Sequence, residues 1–244
     1  MASTKKILIT GATQGLGLTL ARKLIAAGQE PIVVGRSVEK VEEALRSLFE
    51  STSIEVEGKV GKLVDRESAL VLSEQVGDID VLINNAGLWQ DTPFLDVDED
   101  EIEDQLGLLK ATFFLTQAIA RKWVKCGKKG VIINIGSIWG ERAVGKTPSS
   151  SHSIAKAGLH QLTKNVAQEL GKYGIRINTI APGVITESAT QMNDIHALRR
   201  VGSYEDVAHM VLFLTDHEKS NWITGAIFHV DGGASALIDN GDPL

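Results

Sequence analysis

Cysteine is all but absent from this chain. Cys126 stands alone among 244 residues, which excludes an internal disulfide and any thiolate-held metal cluster. Positive charge is in deficit, with 25 Lys and Arg against 31 Asp and Glu and a net charge of −6 at pH 7. Non-specific nucleic-acid binding needs a basic surface, so it is not expected. No apolar run reaches the roughly 18 residues that a membrane helix requires. The opening MASTKK runs into KILIT without an apolar leader, so the expectation is a cytoplasmic protein. Tyrosine is scarce too: Tyr173 and Tyr204 are the only two, and neither is followed four residues later by lysine.

What the chain has in plenty is short β-branched runs alternating with amphipathic stretches. The pattern predicts strands at 6–10, 31–35, 80–84, 130–136, 175–181 and 226–230, with a weaker one inside 54–64. Helices are expected near 15–28, 38–49, 66–76, 99–125, 152–173 and 204–216. Fully apolar strands separated by helices imply a parallel sheet covered on both faces. The expectation is one α/β domain over residues 1–244, a doubly wound, seven-stranded Rossmann sheet with its site beyond the carboxyl ends of the strands. There is no repeat, linker or low-complexity segment. The densest charge block, DVDEDEIEDQ at 96–105, reads as a solvated helix start, where carboxylates suit the dipole.

The first strand ends in Thr10-Gly11-Ala12-Thr13-Gln14-Gly15-Leu16-Gly17, and a helix follows. Glycines let the backbone turn and approach a pyrophosphate, and the helix N-terminus offers N–H groups to it. Gly11, Thr13, Gln14, Gly15, Leu16 and Gly17 are therefore candidate cofactor contacts. After the second strand, Gly35 stands where an NAD-selective site places an acid for the ribose hydroxyls, and Arg36 next to it can pair with a 2′-phosphate. This favours NADP(H). The plainer reading, a surface arginine opening a loop, stays open, and Gln14 adds no second cation.

The fourth strand ends in Asn84-Asn85-Ala86-Gly87. With the glycine loop, the INIGS run ending in Ser137, Lys156, the run Ala181-Pro182-Gly183-Val184-Ile185-Thr186, and Val230-Asp231-Gly232-Gly233, it makes the chain resemble the short-chain dehydrogenase/reductase family. Residues 5–233 carry the resemblance, which is nearest to the β-ketoacyl carrier-protein reductase type. It implies that Asn85, Ala86 and Gly87 back the cofactor and that Lys156 holds the nicotinamide ribose. It also implies that Pro182, Gly183, Val184 and Thr186 contact the nicotinamide and its phosphates, and that Ser137 binds the substrate oxygen. The acid that often meets the adenine falls, in the best register, on Lys62.

Two departures bear on the chemistry. The family's tyrosine is His152, and its water-anchoring asparagine falls on Leu108. Histidine exchanges protons near neutral pH, but its far nitrogen stops roughly 2 Å short of a tyrosine oxygen, a serious gap against hydrogen-bond reach. Lys156, one helical turn on, disfavours imidazolium, so His152 is expected to be neutral. Three readings follow: a working acid or water anchor within an NADPH-dependent carbonyl reductase, an inert replacement in a cofactor-binding subunit that supports an active paralogue, or a non-redox dehydratase or isomerase. The remaining histidines show no metal spacing and no nearby carboxylate pattern, so ordinary surface or core roles and no metal are expected.

On the substrate side, Trp89 follows the fourth-strand motif, Trp139 lies two residues past Ser137, and Glu141 and Arg142 come next. The tryptophans offer a flat apolar wall for a planar or unsaturated substrate; core or interface packing is the alternative. The stretch from Thr186 to Arg200 is short for the family's lid, which suits an open mouth and a small-molecule or carrier-protein-bound substrate. The loop 142–151, rich in small polar residues, reads as mobile. Apolar faces on the fourth and fifth helices imply a homodimer or homotetramer, or a hetero-oligomer with a related reductase.

Overall fold

The computed structural model describes residues 4–143, 147–186 and 195–236. Its strands are β1 Lys6–Ile9, β2 Glu30–Gly35, β3 Glu57–Val60, β4 Val81–Asn84, β5 Val131–Ile135, β6 Arg176–Pro182 and β7 Ile227–Val230. The helices are α1 Gly15–Ala26, α2 Val38–Thr52, α3 Arg66–Gln75, α4 Glu99–Cys126, α5 Ser150–Leu170, α6 Tyr204–Thr215 and α7 His217–Ser220. All seven strands are parallel, in the order β3-β2-β1-β4-β5-β6-β7. The chain is thus a single-domain, Rossmann-like α/β fold with helices on both faces.

Alternation along the strands builds two cores. Ile7, Ile9, Val33, Val81, Ile83 and Ile133 pack one way, against Leu20 and Leu24 of α1, Leu48 of α2 and Val207 and Val211 of α6. Leu8, Ile32, Val34, Leu82 and Ile132 pack the other way, against Leu72 of α3, Leu115 and Trp123 of α4 and Ala167 of α5. Helices cover both faces of the five central strands, which is why those strands read as continuous apolar runs.

β3 is the exception. It is half-buried and carries Glu57, Gly58, Lys59 and Val60. A Cβ on Gly58 would come within 2.6 Å of Val41 and 2.8 Å of Leu45. Packing of α2 over this edge therefore needs a residue of low strand propensity, which blurs the local pattern. Helix ends also differ from expectation. α5 begins at Ser150, and its last expected residues, Gly171–Tyr173, tighten into a 3-10 turn. The expected lid and mobile loop fall partly on 187–194 and 144–146, outside the described residues.

Polar groups replace apolar ones near the carboxyl edge of the sheet. Asn84, Asn134 and Thr179 stand in register on β4, β5 and β6. Asn84 Nδ2 donates to Asn134 Oδ1 (2.8 Å) and to Thr116 Oγ1 (3.0 Å). Asn134 Nδ2 donates to Thr163 Oγ1 (2.8 Å), which also meets Thr179 Oγ1 at 2.7 Å. This buried chain ties α4 and α5 to the strand ends that carry the site. An Asn134→Leu substitution strips partners from Asn84 and Thr163, and a buried polar group left unpaired costs about 1–3 kcal/mol. Urea unfolding is expected to show a lower midpoint at unchanged slope; an unchanged midpoint would show that the ladder contributes nothing.

Candidate active site

One cavity of about 790 Å³ opens along the carboxyl edge of the sheet. It runs from the turn after β1, past the ends of β2 and β3, to the ends of β4, β5 and β6. Its wall includes Gly11, Thr13, Gln14, Gly15, Leu16, Gly17, Arg36, Asn85, Ala86, Gly87, Pro182, Gly183 and Val184. Ser137, His152, Lys156, Leu108, Trp89 and Trp139 lie on the same wall. The structure brings these sequence-predicted positions together.

Sterics dictate the shape of the loop after β1. Gly11 and Gly15 have φ of 62° and 53°, a region that favours glycine. A Cβ on Gly17 would lie 2.4 Å from Gly11 O and 2.6 Å from Asn85 Nδ2. The loop is clamped to the end of β4: Thr10 Oγ1 accepts from the N–H groups of Asn85 and Ala86 (both 3.0 Å), and Asn85 Nδ2 donates to Thr10 O (2.9 Å) and Gly11 O (3.0 Å). No side chain caps the N-terminus of α1, and no acid sits in its first turn. That leaves a helix end disposed toward an anion.

The end of β2 explains a missing acid. A Cβ on Gly35 would lie 2.3 Å from Thr13 Cγ2 and 2.9 Å from Val41 Cγ2. A side chain there requires the Thr13 and Val41 side chains to shift, and glycine leaves the position without a carboxylate. Arg36, Lys40 and Lys62 line the cavity around it.

His152 sits on the first turns of α5 and is buried. Its Nδ1 lies 2.9 Å from Leu88 O. Burial, and secondarily the Lys156 ammonium, push its pKa down to about 4, against the pull of the Leu88 carbonyl. The ring is therefore neutral near pH 7. Lys156 Nζ donates to Ile135 O at 2.8 Å, and burial lowers its pKa to about 8. Ser137 Oγ accepts from Trp139 N–H at 3.3 Å. Trp89 roofs the group, edge-on to Trp139 (centroids 5.1 Å) and to His152 (5.0 Å).

Two expected contacts lie off the cavity wall. Thr186 donates its backbone N–H to Gly202 O at 3.0 Å. Glu141 turns away to His229, with Oε2 2.8 Å from Nε2, and its other oxygen lies 3.8 Å from His160 Nδ1. This corrects the expectation that the remaining histidines have no carboxylate nearby. The partners come from β7, α5 and the loop after β5, so no spacing rule links them. His160 is buried beneath Ser137, accepts its N–H at 3.4 Å and has a pKa lowered to about 4, chiefly by burial. Sequence reasoning also missed Tyr204, which lines the cavity beside Gly15; nothing local to the first turn of α6 signals it. Among the described residues no cluster fit to hold a metal occurs, and no helix is long and apolar enough to cross a membrane.

Comparison with known proteins places this arrangement. The short chain dehydrogenase family matches residues 5–197. The chain is 35% identical over 243 residues to the 3-oxoacyl-(acyl-carrier-protein) reductase of Aquifex aeolicus, covering 94% of this chain and 96% of the relative. It is 30% identical over 252 residues to gluconate 5-dehydrogenase of Gluconobacter oxydans, covering 97% and 96%. Among solved structures it resembles acetoin dehydrogenase from Enterobacter cloacae (TM-score 0.86, 29% identity, all of both chains). A short-chain type dehydrogenase/reductase from Mycobacterium marinum superposes with a TM-score of 0.89 at 27% identity over 96% of each chain. The chain belongs to the short-chain dehydrogenase family.

The two depressed histidines make acid stability a test of this geometry. In the unfolded chain both rings take up a proton near pH 6.5; in the folded chain they do so only near 4. Between those values the unfolded state binds more protons, so stability falls as pH falls. Each ring contributes up to roughly 3 kcal/mol of that loss. Thermal midpoints are expected to drop from pH 7 to pH 4.5, with a shallower drop in His160→Leu. A flat wild-type profile would mean that the rings are not buried neutral.

Proposed function

We propose that the protein is an NADP(H)-dependent oxidoreductase that reduces a carbonyl, on a ketoacyl- or polyketide-like substrate. One observation carries this reading: a single continuous cavity joins an anion-disposed helix end and a cluster of cations to Ser137, His152 and Lys156. The residues fit a dinucleotide. The glycine loop leaves a cradle that a Cβ would fill, and the end of α1 faces it uncapped. Arg36, with Lys40 and Lys62 on the same wall, suits a 2′-phosphate, and the crowded Gly35 denies the site an NAD-type acid. A bound nicotinamide would supply hydride to the substrate carbon. The chain's own residues orient the oxygen and manage its proton.

In this reading Gly11, Thr13, Gln14, Gly15, Leu16, Gly17, Asn85, Ala86, Gly87, Pro182, Gly183 and Val184 hold the cofactor, and Lys156 holds its nicotinamide ribose. Ser137 orients the carbonyl oxygen. His152 gives the proton directly or through a water, and Trp89 with Trp139 forms the apolar wall. A cavity of about 790 Å³ suits a substrate presented on a carrier protein. A relative at 35% identity that acts as a 3-oxoacyl carrier-protein reductase supports the substrate class.

A second reading is a cofactor-binding subunit that supports an active relative. It draws on two observations: the short ring of His152 stays neutral, and Leu108 puts an apolar group on the cavity wall at the family's water-anchoring position. Abundant turnover by a purified homo-oligomer would exclude it.

Calorimetry checks the cofactor assignment first. NADPH is expected to bind in the micromolar range and NADH at least about tenfold more weakly, since a paired phosphate is worth more than about 1.4 kcal/mol. Arg36→Ala should remove most of that difference and leave NADH affinity unchanged; equal affinities in the wild type would refute NADP preference. Turnover adds a second check. Reduction draws on imidazolium, whose fraction above its pKa grows about tenfold for each unit that the pH falls. Reductive kcat/KM is therefore expected to rise steadily from pH 8 to pH 5.5, and His152→Tyr should abolish that slope. A pH-independent wild type would show that His152 is not the donor.

A further inference from the structure

The family resemblance accounts for a proton-handling group at position 152, but not for how a histidine is held there. Three hydrogen bonds supply the hold. His152 Nδ1 lies 2.9 Å from Leu88 O. Gln105 Nε2 donates to the same oxygen at 3.2 Å and to Gln90 Oε1 at 3.1 Å. Gln105 is 2% exposed and belongs to α4, one turn before Leu108.

A carbonyl oxygen has two lone pairs and no hydrogen. Leu88 O meets Gln105 with one and His152 with the other, so Nδ1 must carry the proton of the neutral ring. Nε2 then bears the lone pair, and it is the nitrogen left for the cavity that His152 lines. Ser137 presents the opposite character. Its Oγ accepts from Trp139 N–H, and its O–H can donate.

At this point the wall offers a donor, the Ser137 O–H, and an acceptor, the bare Nε2. A ketone oxygen only accepts, and its lone pairs would face the lone pair of Nε2. A hydroxyl accepts from Ser137 and donates to Nε2 at once. We propose that Gln105, acting through the Leu88 carbonyl, is a positioning residue that fixes His152 as the Nδ1–H tautomer, and that the site in this state recognises a secondary hydroxyl compound between Ser137 Oγ and His152 Nε2 in preference to the matching ketone. The placement of the substrate rests on the redox reading above; the tautomer does not.

Nitrogen NMR of histidine-labelled protein tests both parts. Long-range spectra of the cofactor-free protein at pH 7.5, assigned with His152→Asn, are expected to show His152 protonated on Nδ1 and bare on Nε2. The probes are the N-acetylcysteamine thioesters of 3-hydroxybutanoate and acetoacetate. Each is added in the complex that cannot turn over, the hydroxy ester with NADPH and the keto ester with NADP⁺. The hydroxy ester is expected to move the Nε2 signal toward the protonated position and to bind at least about tenfold tighter. Gln105→Met keeps the bulk and donates nothing. It should give mixed tautomers and lower kcat about tenfold, with the NADPH Kd unchanged. An Nε2–H tautomer in the wild type overturns the proposal even where the variant fails to fold. Equal affinity for the two esters, or an unchanged spectrum in Gln105→Met, overturns it as well. Absence of NADPH binding would sink the redox reading alone, because the tautomer is read without cofactor.

Discussion

A backbone carbonyl accepts hydrogen bonds and never gives one. At Leu88 that simple constraint governs the centre of the cavity, because His152 Nδ1 and Gln105 Nε2 both point at its oxygen. Leu88 follows the Asn84–Gly87 turn, which is itself clamped to the glycine loop through Thr10 and Asn85. The loop that would grip a dinucleotide and the ring that would handle a proton are therefore set by one stretch of backbone. Displacing either end moves both.

Electrostatics then decide what such a ring can be. Burial and the Lys156 ammonium act in the same direction on His152, and the carbonyl opposes them only in part. Lys156 is partly buried on the cavity wall, where its contact with Ile135 O holds it. A tyrosine beside the same lysine becomes more acidic, since a cation favours phenolate. A histidine beside it becomes less basic, since imidazolium is like-charged. Exchanging the residue thus inverts the effect of a neighbour that has not changed.

Most of the architecture was legible in the residues. Apolar runs marked six strands because both faces of the sheet are covered, and glycine spacing marked the loop because its Cβ positions are filled by backbone. β3 was faint because α2 packs over Gly58. The positions around Ser137, His152 and Lys156 were readable through the family resemblance. What stayed hidden depends on contacts between distant segments. Glu141 looked like a wall residue by position, yet the loop after β5 turns its carboxylate to His229 on β7. Gln105 lies in a stretch dominated by charge and reads as part of a solvated helix start. Only its depth against Leu88, Gln90 and α5 shows that it faces inward. Tyr204 reaches the cavity because α6 packs on α1, a pairing with no local signature.

At the end of β2, packing favours a residue without a side chain. Position 35 lies under Thr13, a member of the glycine loop, with Val41 of α2 on its other side. The Thr13 and Val41 methyl groups fill the space that a side chain at position 35 would take. The charge of this corner then falls to residues that reach in from outside the contact, and those that line it are Arg36, Lys40 and Lys62. Lys40 is partly engaged with Glu43 at 2.9 Å, in an exposed pair of the weak kind. All three cations are exposed, so an anion there meets them under solvent screening. Restoring an acid at this corner would require more than Gly35→Asp. The Thr13 and Val41 side chains would have to shift to make room.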